Sequence, residues 1–285
     1  MILILGGSGA YFLDKEQFGE VLWIKRIETP FGLSNPIYRI KSPSGIEFLF
    51  LSRHGEKDYE LTAPFVNYRA NIYAAKKCGV ERIVAWTGPG SIREEFKPGD
   101  YVIPDDLIDF TKKRDYTFFE NRGLGFVRQN PVFCPEIRDA LKDVLYEKGF
   151  AFHVGGTYVC TEGPRLETPA EIRMFKGFGG DLVGMTLVPE VFLAKELEMC
   201  YGAICYVTNY AEGIKPYGFK AGVLFEGMLP EEQKKLVDKA VSRFPEIMLS
   251  IVERLTEKER RCPCKDTMKR YKLKGVIGDN WETWF

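Results

Sequence analysis

Ile2-Leu3-Ile4-Leu5-Gly6-Gly7-Ser8-Gly9 opens with four consecutive apolar residues that run into a glycine-rich turn. A strand with one wet face would alternate polar and apolar residues. An unbroken run reads instead as a strand buried on both faces, the kind covered by helices on each side of a sheet. The same grammar recurs outward along the chain. Val21 to Ile27, Ile46 to Leu51, Arg82 to Thr87, Tyr101 to Ile103, Asp181 to Val183 and Gly202 to Thr208 read as strands. Helical patterns fall between them. Pro64 opens one through Lys77, with Val66, Ala70, Tyr73 and Ala74 on one stripe. Pro135 to Lys148 and Pro189 to Met199 are helical, and Pro230 to Glu259 reads as a long helix broken near Pro245. Alternating strands and helices imply one α/β domain spanning 1–285, a mixed sheet flanked by helices, with a C-terminal helical segment from about 230 to 285.

The composition narrows the class. At 285 residues the chain is long enough for a large single core. Hydrophobic residues make up 45% and charged residues 28%, the balance of a soluble protein. Lys plus Arg and Asp plus Glu each number 40, so there is no basic excess for nucleic acid. No apolar run reaches the ~18 residues of a membrane span. Met1 to Gly6 has no basic leader and reads as a strand, so an intracellular, cytoplasmic protein is expected.

Seven cysteines are present: Cys78, Cys134, Cys160, Cys200, Cys205, Cys262 and Cys264. The unusual pair is Cys262-Pro263-Cys264. A metal site there wants two more ligands, and neither His54 nor His153 sits in such a pattern, so no metal is expected. Free thiols and disulfides both remain open.

Ligands of such folds sit in the loops beyond the carboxyl ends of the strands. Gly6-Gly7-Ser8-Gly9 is not a dinucleotide fingerprint, because the third glycine would fall at Phe12. It is either a tight turn or a backbone cradle for phosphate. Ser52-Arg53-His54-Gly55 offers a guanidinium fork suited to phosphate oxygens and a further donor in His54; a solvated Arg and a packed His are the alternative. Trp86-Thr87-Gly88-Pro89-Gly90-Ser91 suits an oxyanion. Thr168 with Glu171 reads as a capping box. Gly184-Met185-Thr186 and Thr208-Asn209-Tyr210-Ala211 complete the set of strand-end segments.

Together with Thr29-Pro30-Phe31-Gly32, Asn67-Tyr68-Arg69-Ala70-Asn71, Gly90 to Glu95, Pro98-Gly99-Asp100, Glu162-Gly163-Pro164-Arg165 and Val188-Pro189-Glu190, these segments resemble the methylthioadenosine phosphorylases, members of the trimeric-type purine nucleoside phosphorylases. The match runs in order from Leu3 to about Gly213. The resemblance implies a nucleoside phosphorylase fold with a central mixed, partly barrel-like sheet. It implies phosphorolysis, in which phosphate attacks the anomeric carbon while the purine leaves. It also implies no cofactor beyond phosphate as co-substrate, a cradle of Ser8, Arg53, His54, Thr87, Gly88 and Thr186, and Met185 against the ribose. A homotrimer or homohexamer follows in the same way.

The base-facing residues depart from the adenine pattern. The family's aspartates are replaced by Asn209 and Ala211. Ala211 accepts nothing from a 6-amino group. Asn209 can donate to a 6-oxo oxygen and accept from N7–H. Glu167 is similar to the glutamate with which 6-oxopurine enzymes bind the base: a carboxylate attracts N1–H of hypoxanthine or guanine and repels the N1 lone pair of adenine. Its alternative is a solvated carboxylate in the first turn of a helix. Two unpaired polar groups, at about 1–3 kcal/mol each, give roughly 10²–10⁴-fold discrimination. Leu166 stands where an aromatic residue often packs on the purine, and Tyr210 flanks Asn209. Phe219, Val223, Leu224 and Phe225 form either an apolar 5′ wall or a core or subunit contact. The expected activity is cleavage of inosine or guanosine, with Asn209 and His54 as catalytic residues. Cleavage of 5′-methylthioinosine or 5′-methylthioadenosine is the alternative, and a binding protein without turnover is a more remote one.

Overall fold

The computed structural model describes residues 1–285 apart from Ser8, Tyr11, Phe12, Asp58, Tyr59, Tyr217 and Phe219, and the backbone alone of Glu226. The strands, in chain order, are β1 (Ile2–Gly6), β2 (Glu20–Lys25), β3 (Glu28–Thr29), β4 (Gly32–Leu33), β5 (Ile37–Lys41), β6 (Glu47–Ser52), β7 (Arg82–Thr87), β8 (Gly90–Ser91), β9 (Tyr101–Ile103), β10 (Asp106–Phe110), β11 (Phe152–Val154), β12 (Thr157–Thr161), β13 (Leu182–Gly184), β14 (Cys200–Tyr206) and β15 (Asn209–Tyr210). The helices are α1 (Tyr68–Lys77), α2 (Pro135–Glu147), α3 (Pro169–Gly177), α4 (Glu190–Glu196), α5 (Glu231–Ser242), α6 (Phe244–Thr256) and α7 (Lys269–Leu273).

The opening apolar run forms β1, which lies inside an eight-stranded mixed sheet of order β11-β9-β14-β7-β1-β6-β5-β2. Its parallel neighbours are β6 and β7, and β14 continues the parallel set beyond β7. Both faces are covered, as an unbroken run requires. Leu3 and Leu5 enter one apolar cluster, and Ile2 and Ile4 the other. The helices α2 and α6 pack together, with α2 also on β14, while α1 packs on α4.

A second, five-stranded sheet runs β10-β12-β13-β8-β15. Four times the chain leaves the large sheet and enters the small one across two residues: 88–89, 104–105, 155–156 and 207–208. The barrel-like character expected takes this form of two sheets seamed together by shared chains. Among the described residues neither sheet closes on itself. No helix among them is long and apolar enough to cross a membrane.

One helix expectation is corrected and another is met. Pro64 sits in a short 3-10 turn, Ala63–Phe65, and the α-helix starts at Tyr68 because the Asn67 side chain accepts from the Ala70 N–H at 3.1 Å. Such a cap contributes about 1 kcal/mol. The break expected near Pro245 is present: the C-terminal segment forms two helices, α5 and α6, parted at Arg243. Pro245 falls in the first turn of α6, where its missing N–H costs nothing. The capping box at Thr168 is present as expected, opening α3. The aromatic tail docks on the core: Trp284 is 1% exposed, and the Phe285 ring lies 5.3 Å from Phe118 and 5.7 Å from Tyr73.

The expectation that the Cys262/Cys264 pair lacks partners is also corrected. Cys134, at the start of α2, and Cys200, at the start of β14, meet it in the interior. The four sulfurs lie within 4.8 Å of one another. None of the seven cysteines is disulfide-bonded.

Candidate active site

A cavity of about 310 Å³ opens where the two sheets are seamed. Its wall takes Thr87, Gly88 and Gly90 from the first seam, Thr208 and Asn209 from the last, and Gly184, Met185 and Thr186 from the end of β13. His54, Leu166, Glu167 and Ala211 line it too. Nine residues singled out in sequence therefore share one cavity: His54, Thr87, Gly88, Leu166, Glu167, Met185, Thr186, Asn209 and Ala211.

Two expected residues, Tyr210 and Arg53, are not on the wall, and a third, Ser8, is outside the described residues. Tyr210 is not on the wall; its ring lies under the Lys215 ammonium at 5.2 Å, and its hydroxyl is 3.4 Å from the Glu94 carbonyl. Arg53 lies behind the wall and is fully enclosed. Its Nε donates to Glu190 Oε1 at 2.7 Å, its Nη2 to Oε2 at 3.0 Å, and its Nη1 to the Trp86 carbonyl at 2.9 Å. Burial works against the guanidinium charge, but Glu190 outweighs it and raises the pKa. Glu190 in turn accepts from Tyr201 at 2.6 Å. Nη1 also packs under the turn: a Cβ at Gly7 would fall 2.6 Å from it, so only glycine fits there. Of the apolar residues considered for a 5′ wall, Leu224 and Phe225 line the cavity, Val223 does not, and Phe219 is outside the described residues.

The hydroxyls are tied together. Thr87 Oγ1 and Thr186 Oγ1 are 2.7 Å apart, and Tyr158 lies 3.3 Å from the latter. Gly88 is required by crowding: a side-chain carbon there would come within 2.6 Å of the Tyr206 ring. His54 holds its proton on Nδ1, donating to the Leu61 carbonyl at 2.9 Å. Burial and the Arg53 charge push its pKa down to about 4, so the ring is neutral near pH 7. A neutral Nδ1–H imidazole leaves Nε2 an acceptor, which corrects the expectation of a further donor.

The polar groups of the remaining wall are equally fixed. Thr161 Oγ1 donates to Glu167 Oε1 at 2.5 Å, and burial raises the carboxyl pKa despite that bond. Asn209 Nδ2 donates to the Tyr210 carbonyl at 2.8 Å, and its Oδ1 lies 2.6 Å from the Thr208 hydroxyl. The Tyr210 carbonyl can pair only with a donor, so an amide suits position 209 where a carboxylate would be repelled. Met185 is seated by Gly163, whose φ of +71° favours glycine and whose added Cβ would strike Met185 Sδ at 2.4 Å.

Sequence reasoning assigned nothing to Glu190, Thr161 or Tyr158, nor to Thr62, Ala63 and Glu212 on the wall. Glu190 stood in a quoted motif, but its partner lies 137 residues away.

Comparisons with known proteins find relatives over nearly the whole chain. Residues 2–253 match the family model described as the phosphorylase superfamily. A probable 6-oxopurine nucleoside phosphorylase of Thermococcus kodakarensis is 43% identical, over 98% of this chain and 99% of that protein. An S-methyl-5′-thioadenosine phosphorylase of Pyrococcus abyssi is also 43% identical, over 93% of this chain and 96% of its own. Among solved structures, a methylthioadenosine phosphorylase from an antarctic soil metagenomic library superimposes with a TM-score of 0.82 at 31% identity, covering 94% of this chain and 91% of that one.

Proposed function

This chain belongs to the phosphorylase superfamily, and from that premise we propose that it cleaves 6-oxopurine nucleosides, inosine and guanosine, with inorganic phosphate to free base and ribose 1-phosphate. It is a pentosyl-transferring enzyme. The observation that carries the choice of base is the joint presence of Glu167, Asn209 and Ala211 on one cavity wall. As the ribosyl bond lengthens, the sugar turns cationic and the purine gathers negative charge. Catalysis then needs an anion held beside C1′ and donors placed against the departing ring.

Thr87, Thr186 and the Gly88 backbone form the phosphate cradle in this reading, with Ser8 of the glycine turn. Its support is the hydroxyl pair at 2.7 Å on the cavity wall. Arg53 acts from behind: fixed by its ion pair with Glu190, its guanidinium packs under the Gly7 turn and holds it in place. His54 accepts through Nε2, from a phosphate or ribose hydroxyl. The Glu167 carboxylate takes N1–H. Asn209 keeps one amide hydrogen for O6 after donating to Tyr210, and its oxygen takes N7–H as the base leaves. Ala211 withholds the acceptor that a 6-amino group would need. Met185 packs against the ribose, and Leu166 and Ala211 give the base apolar contact.

The second reading, a 5′-methylthio nucleoside as substrate, is favoured by Leu224 and Phe225 on the wall. A cytoplasmic homotrimer or homohexamer completes the proposal. Its support is Phe65, 72% exposed beside the cavity residues Thr62 and Ala63, which suits a rim covered by a second subunit. The test is base release from inosine, guanosine, adenosine and their 5′-methylthio forms, with and without phosphate. Phosphate-dependent release fastest from inosine or guanosine is expected. Adenosine as best substrate overturns the base assignment, and release without phosphate overturns the reaction.

A further inference from the structure

Away from the cavity, four cysteines from three distant parts of the chain converge. Cys134 precedes α2, Cys200 begins β14, and Cys262 and Cys264 follow α6. All four are buried, their sulfurs lie within 4.8 Å of one another, and the Cys200 to Cys262 separation is 3.2 Å. Pairwise bridges need only pairwise proximity. Mutual proximity of all four is the demand of one shared centre. Four thiolates at about 2.3 Å from a tetrahedral zinc ion stand roughly 3.8 Å from each other.

The surrounding charges point the same way. Arg260 Nε lies 3.1 Å from Cys200 Sγ, and the guanidinium also reaches the Glu198 carbonyl. Lys195 is 4% exposed, its charge acts on Cys264 and Cys134, and it donates to the Pro131 carbonyl at 2.5 Å. Two disulfides would leave the buried Lys195 and the half-buried Arg260 beside neutral sulfur. Zinc bound by four thiolates carries two net negative charges, which these two cations match.

We propose that Cys134, Cys200, Cys262 and Cys264 form a closed structural zinc site that fastens the C-terminal segment beyond α6 to the starts of α2 and β14. It has no open coordination position and takes no part in phosphorolysis. On binding, the four thiols lose their protons to solvent, and no sulfur is oxidised.

The test uses the full-length enzyme, expressed with zinc and purified anaerobically without chelator. Elemental analysis is expected to give one zinc per chain, and a denaturing mass spectrum the mass of seven unbridged cysteines. A thiol-modifying mercurial should release that zinc and lower Tm. Exchange with cobalt(II) should give the thiolate-to-metal charge-transfer band and tetrahedral visible spectrum. The Cys262→Ser and Cys264→Ser variants should lose the metal, while Cys78→Ser retains it. Should a serine variant not fold, metal content and mass of the unaltered enzyme still decide. Chains without metal overturn the proposal, whether the four cysteines are free or bridged with two hydrogens missing per bridge. Neither result bears on which purine is cleaved.

Discussion

Replacing Glu167 by Gln isolates the group proposed to read N1 of the base. Thr161 donates to Glu167 Oε1 at 2.5 Å, so in the variant the amide oxygen keeps that partner and the NH₂ takes the place of Oε2. A 6-oxopurine then presents N1–H to another N–H and loses a charge-assisted hydrogen bond of about 1.5–3 kcal/mol, or roughly 10- to 150-fold in kcat/KM. Adenosine meets a donor at its N1 lone pair and gains a neutral bond of about 0.5–1.5 kcal/mol. The inosine-to-adenosine ratio of kcat/KM should therefore fall by roughly 30- to 2,000-fold. Initial rates at saturating phosphate measure it, and the ratio is insensitive to the fraction of active enzyme. A ratio within about threefold of the unaltered enzyme, by that same arithmetic, refutes the assignment of Glu167 to N1. A supporting trend lies in pH. Burial raises the Glu167 pKa, so its protonation on acidification begins above the ordinary carboxylate range. Once protonated it donates, and the preference for inosine over adenosine should shrink as pH falls.

Asn209→Asp combined with Ala211→Asp should raise the adenosine-to-inosine ratio. Asn209→Asp alone should lose about 1–3 kcal/mol in denaturant unfolding, because the Tyr210 carbonyl loses its donor. Glu190→Gln breaks a buried ion pair and leaves Arg53 uncompensated; unfolding should become easier by about 3–5 kcal/mol, and an unchanged Tm would contradict the pairing. His54 has a folded pKa of about 4 against an unfolded value of 6.5, so the unfolded chain binds the extra proton between those values. Its contribution is whole above about pH 6.5 and is lost as pH falls toward 4, an effect of about 3 kcal/mol. His54→Gln should flatten that part of the stability profile, measured by urea unfolding at stepped pH.

The parts of the fold set by local pattern were legible in the chain. Arg82–Thr87 and Tyr101–Ile103 are strands residue for residue, since continuous apolar runs bounded by glycine and proline leave few other readings. Strand β5 was not, because Ile37-Tyr38-Arg39-Ile40-Lys41 mixes charge into a strand whose place between β6 and β2 is settled by pairing. The wall of the cavity was largely legible, because strand-end loops carry it. What lay hidden were relations over distance. Arg53 reads as a free cation until Glu190 is brought to it, and Cys262 reads as half a site until Cys134 and Cys200 arrive. The start of α1 is ambiguous in the sequence because Pro64 and Asn67 both signal helix entry, and hydrogen bonding to Ala70 decides for the latter.

The two-residue seams between the sheets constrain how this protein can change. A strand turns successive side chains to opposite sides, so one residue added at 207–208 would swing Asn209 out of the cavity and Tyr210 in. The same insertion at 88–89 would carry Gly90 off its place beside Asn209. Length is thus barred as a source of novelty at these joints. Relatives that handle different purines must diverge by exchanging one side chain for another on an inherited frame.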